Sequence, residues 1–172
     1  MHARISPWAM LLSAVTLGLS TASYALETTQ LEISGTLTKP GCTASFPVSQ
    51  SIDIPKVNLN SLKSDITEWT DVALGFECIK GSQVLLRLKA GNGSYDSSTL
   101  RTTLDRLGLK IRLSDITSTV KVLDLKLGEQ LTFPLQDTQL KLKLSVRPVM
   151  TGIELPAIGN YSSTLLMEMI YL

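Results

Sequence analysis

The sequence predicts an all-β domain, and three observations carry that reading. Apolar residues alternate with polar ones in segment after segment, the period of two that suits half-buried strands. Glycine, proline, asparagine and serine separate those segments at short intervals. Helical periodicity is not sustained anywhere after the first residues. Roughly seven to nine short strands with turns between them favour a β-sandwich over βαβ units.

The first residues stand apart from this pattern. Met1 to Arg4 carry positive charge, and Trp8 to Leu19 form an apolar run interrupted only by Ser13, Thr16 and Gly18. Ser23-Tyr24-Ala25 then supplies small residues at the two positions a signal peptidase reads. Residues 1–25 are therefore expected to be a cleaved secretory leader, the apolar run being short for a membrane span. An arm follows over 26–36. In it Leu31 and Ile33 alternate with Glu32, Ser34 and Thr36, with Gly35 on the apolar side and Thr29 continuing that side outward. The domain proper is expected over 37–172.

Pro40-Gly41 marks a bend beside Cys42. Ser51 to Leu59 carries Ile52 and Ile54 but also Pro55, which suits an edge strand. Residues 58–67 read as a polar connection with at most a helical turn. From Asp71 to Ile79, Val72, Leu74, Phe76 and Cys78 share one side; Val84, Leu86 and Leu88 repeat the pattern opposite Arg87 and Lys89. Gly91-Asn92-Gly93 sits in a flexible turn. Thr99 to Leu107 has room for a helical turn. Leu107, Leu109, Ile111 and Leu113 alternate next, and Val120 to Leu127 has the same period. Gln130 to Leu135 and Leu140 to Val146 read as two more strands, with Pro148 limiting the second. The last segment runs apolar to Leu172, where most domains let their ends fray.

Composition removes several function classes. The chain holds 16 lysines and arginines, 15 acids and one histidine, His2. Cleavage after Ala25 removes His2 and Arg4, which leaves no histidine and a net charge near zero. No Ser-His-Asp or Cys-His pair can then form, and two thiols without histidine make no zinc site. A neutral chain without a basic stripe predicts no nucleic-acid partner. Cys42 and Cys78, an even count in an exported chain, predict one disulfide. Glu68 and Asp71 flank Trp69 and are weighed as a carboxylate pair beside a sugar-stacking ring; a solvated loop with one packed aromatic is the reading preferred. Asn92-Gly93-Ser94 and Asn160-Tyr161-Ser162 match glycosylation acceptors, a pattern frequent by chance. No enzyme activity, cofactor, metal or small-molecule substrate is expected.

The order of the parts is informative. A leader, a short alternating arm, a glycine, a cysteine and a second cysteine 36 positions on are followed by a glycine-led terminal strand with a penultimate tyrosine. This arrangement resembles the pilin subunits of chaperone–usher fimbriae of Gram-negative bacteria over the whole exported chain. In that family a glycine lies fourteen residues from the end and the penultimate residue is aromatic; Gly159 and Tyr171 match both. Gly159, Tyr161 and Leu165 fit the family's G-x-Y-x-x-x-L pattern, and Cys42 and Cys78 match its disulfide between the first two main strands.

The resemblance implies an immunoglobulin-like sandwich, the pilin fold, lacking its last strand. The groove so left would be lined by the strand carrying Leu165, Met167, Met169, Tyr171 and Leu172, opening at Gly159 and Tyr161. A periplasmic chaperone would fill the groove first. The arm of another fimbrial subunit, through residues equivalent to Thr29, Leu31, Ile33 and Gly35, would then replace it at the outer-membrane usher. The chain would pass through the periplasm and end in an extracellular fimbrium. In many pilins a glycine stands in the arm where Thr29 stands here, and the arm is short with a polar tip. That implies a minor subunit. The alternative is a single-domain tip adhesin binding a host glycan or receptor through Trp69, Tyr95 and their loops.

Overall fold

Period-two alternation decides which segments enter sheets. The computed structural model describes residues 32, 34–36 and 41–172, Tyr171 by its backbone alone. Two units divide the chain, Met1–Leu37 and Thr38–Leu172, and all the named elements lie in the second. The strands are β1 (Cys42–Ala44), β2 (Thr70–Cys78), β3 (Gln83–Ala90), β4 (Thr99–Arg101), β5 (Leu107–Asp115), β6 (Lys121–Val122), β7 (Gln130–Pro134), β8 (Gln139–Met150) and β9 (Leu165–Tyr171), with one short helix, α1 (Leu59–Lys63).

They form two antiparallel sheets. Sheet one runs β1-β2-β8-β5-β4, with β6 pairing the far end of β5; sheet two runs β7-β3-β9. Leu74 and Phe76 from β2, Leu142 and Leu144 from β8, and Ile111 and Leu113 from β5 turn inward from sheet one. Val84, Leu86 and Leu88 from β3 and Phe133 from β7 meet them from sheet two. The core is thus built from alternate residues of both sheets, the general plan of a sandwich.

Three expected elements differ. Ser51 to Leu59 forms no strand, although Ile54 still packs on the core. Two apolar residues and a proline without an N–H are too little to hold a ladder. The segment instead leads into α1, where the Asn58 side chain accepts from the Ser61 N–H at 2.8 Å, an N-cap. In Val120 to Leu127 only Lys121–Val122 is strand; Leu125 is buried and Leu123 and Leu127 lean on the core all the same. Alternation there records burial, not pairing. Thr99–Arg101 is strand, at the start of the stretch that had room for a helical turn.

Pro148 does not limit β8, which runs on to Met150. The Thr151 N–H donates to Arg106 O at 3.0 Å, and this sets the phase of the β5–β8 ladder. Pro148, opposite Leu109, lies three pairs from that bond and so out of phase with it, and its backbone faces the β2 side. The β2 pairing has already ended at Thr70 opposite Val146. No ladder donor is therefore lost, and the Pro148 carbonyl accepts from Thr67 Oγ1 at 2.7 Å.

Cys42 and Cys78 are joined, and they are direct cross-strand partners at the end of β1 and β2. β1 is three residues long, so the bond is what ties the start of the domain to sheet one. Closing a loop of this length stabilises a fold by about 4 kcal/mol on the chain-entropy model. The Cys42→Ser/Cys78→Ser variant is expected to lose about 2–4 kcal/mol in a denaturant titration, with the loss reproduced by reducing the native chain.

Candidate functional site

β9 is the element on which the fold is least closed. It stands at the end of sheet two, and among the described strands only β3 pairs with it. The Gln83 N–H donates to Leu172 O at 3.1 Å and the Leu172 N–H returns to Gln83 O at 3.0 Å. At the other end the Gly91 N–H donates to Thr164 O at 2.8 Å. Antiparallel ladders repeat every second residue, so Leu166, Glu168 and Ile170 spend their backbone groups on β3. The backbone groups of Leu165, Met167 and Tyr171 turn to the opposite edge.

Side chains follow the same alternation. Leu165, Met167 and Met169 face the core but are only half-buried, whereas Val84, Leu86 and Leu88 on neighbouring β3 are fully buried. Packing therefore thins from β3 toward β9. On the outer face Leu166 and Ile170 are about half exposed, at 50% and 48%, and Leu172 is 69% exposed. Between the first two, Glu168 is held by Lys89 at 2.6 Å and Arg87 at 3.8 Å. Tyr161, just before the strand, packs against the core, and burial pushes its phenol above the ordinary range.

Gly91 sets how the strand enters. A Cβ there would lie 2.9 Å from Thr164 Cβ and 3.0 Å from Thr164 Cγ2. The missing side chain is what lets the backbone before β9 close onto the end of β3. Gly159 carries no such requirement: an added Cβ would meet only the Leu104 methyls at 3.8 and 3.9 Å, ordinary contact. Gly35 is exposed with open space around it. Thr29, Leu31 and Ile33 lie outside the described residues.

In the seven-strand immunoglobulin sandwich, strands A, B, E and D form one sheet and C, F and G the other. β1-β2-β8-β5 follows A-B-E-D in chain order, and β3 and β9 take the places of C and F. β7 extends the far side of β3. The position of G, beyond β9, has no strand among the described residues.

The fold is the pilin fold. The P pilus rod subunit PapA superposes with a TM-score of 0.54 at 18% identity, covering 77% of this chain and 99% of that one. A structure of a chaperone–usher pilus, solved for the molecular basis of rod uncoiling, gives a TM-score of 0.60 at 16% identity, covering 86% and 98%. No protein-family model matches the sequence, and no curated protein is similar to it.

Within this pilin fold the structure gathers residues that sequence spacing kept apart. The Asp71 carboxylate accepts from Ser145 Oγ and pairs with Lys143 Nζ at 3.0 Å. The Ser145 hydrogen bond first, then Lys143, hold it below the usual carboxylate range. Asp71 is thus held as an anion and not a proton donor, so it does not supply the acid of the carboxylate pair weighed with Glu68. The Trp69 ring is covered by guanidinium groups, Arg112 at 4.3 Å and Arg147 at 5.1 Å from its centroid.

At one end of the sandwich a cleft of about 640 Å³ is lined by Tyr95, Arg101, Arg106 and Thr151 with neighbouring loop residues. Arg101 stacks on Tyr95 at 4.9 Å, and Arg106 pairs with Glu154 at 2.7 Å. Its loops carry no periodic signal, so sequence reading finds only Tyr95 there.

Proposed function

We propose that the chain is a structural subunit of a chaperone–usher fimbria, a minor one, which polymerises by donor-strand exchange. The observation that carries the reading is the state of β9: an end strand with backbone groups at its outer edge and half-closed apolar side chains beneath. A foreign strand laid along that edge would gain main-chain hydrogen bonds and cover Leu165 and Met167. This is the physical basis of strand addition, and an apolar sheet edge without such cover is an aggregation hazard.

Residues 1–25 serve as the leader, 26–36 as the donated arm and 37–172 as the pilin domain. A periplasmic chaperone holds the groove until the usher passes the subunit to its neighbour. The finished product is a surface fimbrium supporting cell adhesion, with no enzymatic step. In the arm, Leu31 and Ile33 fill the neighbour's pockets, with Thr29 and Gly35 at their flanks.

Affinity capture of the chain from a periplasmic extract tests the reading. A stoichiometric periplasmic chaperone is expected in the eluate, displaced by a peptide of another subunit's arm. Recovery of the chain as a free, soluble monomer would overturn it. Fibres built chiefly from this chain would leave it a fimbrial subunit and reject the minor role.

A further inference from the structure

The outer face of sheet one carries a row of cations that the near-zero net charge conceals. Lys110 and Arg112 on β5, and Lys141, Lys143 and Arg147 on β8, occupy the outward positions of two adjacent strands. At about 3.3 Å per residue the β8 members span about 20 Å. Only two acids answer them. Asp71 is taken by Lys143 and Ser145, and Asp65 binds Arg147 at 3.0 Å. Glu77 stands further along β2 without an ion pair to Lys141. Among the described residues Lys110, Arg112 and Lys141 make no direct ion pair with a carboxylate, and Arg112 acts on Asp71 only through space.

Two details go beyond a solvated strand face. Lys110 and Arg147 are direct cross-strand partners, and like charges so placed repel. The fold keeps the arrangement and adds a brace: Trp69 lies under both Arg112 and Arg147. Stacking on the indole fixes each guanidinium plane; Asp65 already takes both terminal nitrogens of Arg147, each at 3.0 Å, which leaves the Arg112 edge for a bidentate acceptor. Among the described residues the Arg112 Nε is buried without a partner, so its terminal nitrogens are the groups presented outward.

We infer that this face binds an anionic polysaccharide, one bearing sulfate or carboxylate groups. The forked Arg112 guanidinium matches a planar or tetrahedral oxyanion, and with Lys110 and Lys141 beside it the flat two-strand row suits an extended chain of repeating charges. Nucleic acid is disfavoured because single strands are held by aromatic platforms on which bases stack. Trp69, the aromatic residue braced within this row, is already stacked by Arg112 and Arg147. The inference stands apart from β9 and from polymerisation, since it uses the opposite sheet.

The test is binding of the exported chain, purified with any protein that accompanies it, to an immobilised sulfated glycosaminoglycan at about 0.15 M salt. Saturable binding is expected, lost on the desulfated polymer. Lys110→Gln/Arg112→Gln should weaken it about tenfold. Lys110→Gln alone touches an exposed, unpaired side chain, so it keeps the fold and still weakens binding about threefold. Lys80→Gln, exposed in a turn away from this face, should change nothing. No binding, an equal loss from Lys80→Gln, or equal or tighter binding to a single-stranded oligonucleotide would each overturn the proposal.

Discussion

Fusing residues 26–36 after Leu172 through a flexible glycine-serine linker is expected to turn an aggregating chain into a soluble, cooperatively folding monomer. The gain arises at β9. The added strand would pair with the outward backbone groups of Leu165, Met167 and Tyr171, each hydrogen bond contributing about 0.5–1.5 kcal/mol net. Leu31 and Ile33 would enter the groove over side chains that are half-buried in its absence, each gaining about 1.5–3 kcal/mol. Ordering the strand costs about 1–2 kcal/mol per residue, which the tether partly offsets by raising the local concentration of the arm. The expected readout is a Tm several degrees higher for the fused chain than for the unfused one. Thermal unfolding of the fused and unfused chains reads it directly. A Leu31→Asp/Ile33→Asp version of the same fusion should return the chain to its unfused behaviour. If the unfused chain is already a stable monomer, or the aspartate fusion is as stable as the native one, β9 is not an acceptor.

Much of the fold was legible because alternation reports burial. Val72, Leu74, Phe76 and Cys78 share a side on paper and face the core in β2, Val72 at its margin; Leu107 to Leu113 do the same in β5. Where alternation and pairing part company, sequence reading overreached. Leu123, Leu125 and Leu127 alternate and reach the core, yet only Lys121–Val122 finds a strand to bond. Ser51 to Leu59 shows the same gap with fewer anchors. Pro148 went the other way, because whether a proline breaks a strand depends on which neighbour its nitrogen faces. That is a property of the sheet and not of the segment.

The same distinction governs the sites. β9 could be found in the sequence because its apolar residues are consecutive and end the chain. The Lys110–Arg147 pair and the Arg112–Trp69 stack could not, since they are made by residues more than thirty positions apart whose register is fixed only when β2, β8 and β5 assemble. The expected absence of a basic stripe was true of the linear sequence and is corrected by the folded sheet. A net charge near zero conceals a local excess: five outward cations share adjacent β5 and β8, while acids such as Asp96, Asp124 and Asp137 lie in loops.

Deleting residues 26–33 is expected to separate the two halves of assembly. On the proposed reading chaperone capture would depend on β9, at the other end of the chain, and should be unchanged when measured by co-purification. Incorporation into a fibre would depend on the arm entering the preceding subunit's groove, and should fail. Loss of two apolar anchors forfeits about 3–6 kcal/mol, and at about 1.4 kcal/mol per tenfold this is a drop of 100-fold or more in exchange-competent binding. Leu31→Asp and Ile33→Asp should each reproduce part of the loss without shortening the chain. Glu32→Gln should leave incorporation intact, because alternation sets Glu32 on the side away from both anchors. Immunodetection of the subunit in sheared fibres, beside its periplasmic level, distinguishes failed assembly from failed folding. A deletion variant that still enters fibres would place the donated strand elsewhere. A variant that loses the chaperone as well would mean that the arm is part of the subunit's own fold before it is ever lent to a neighbour.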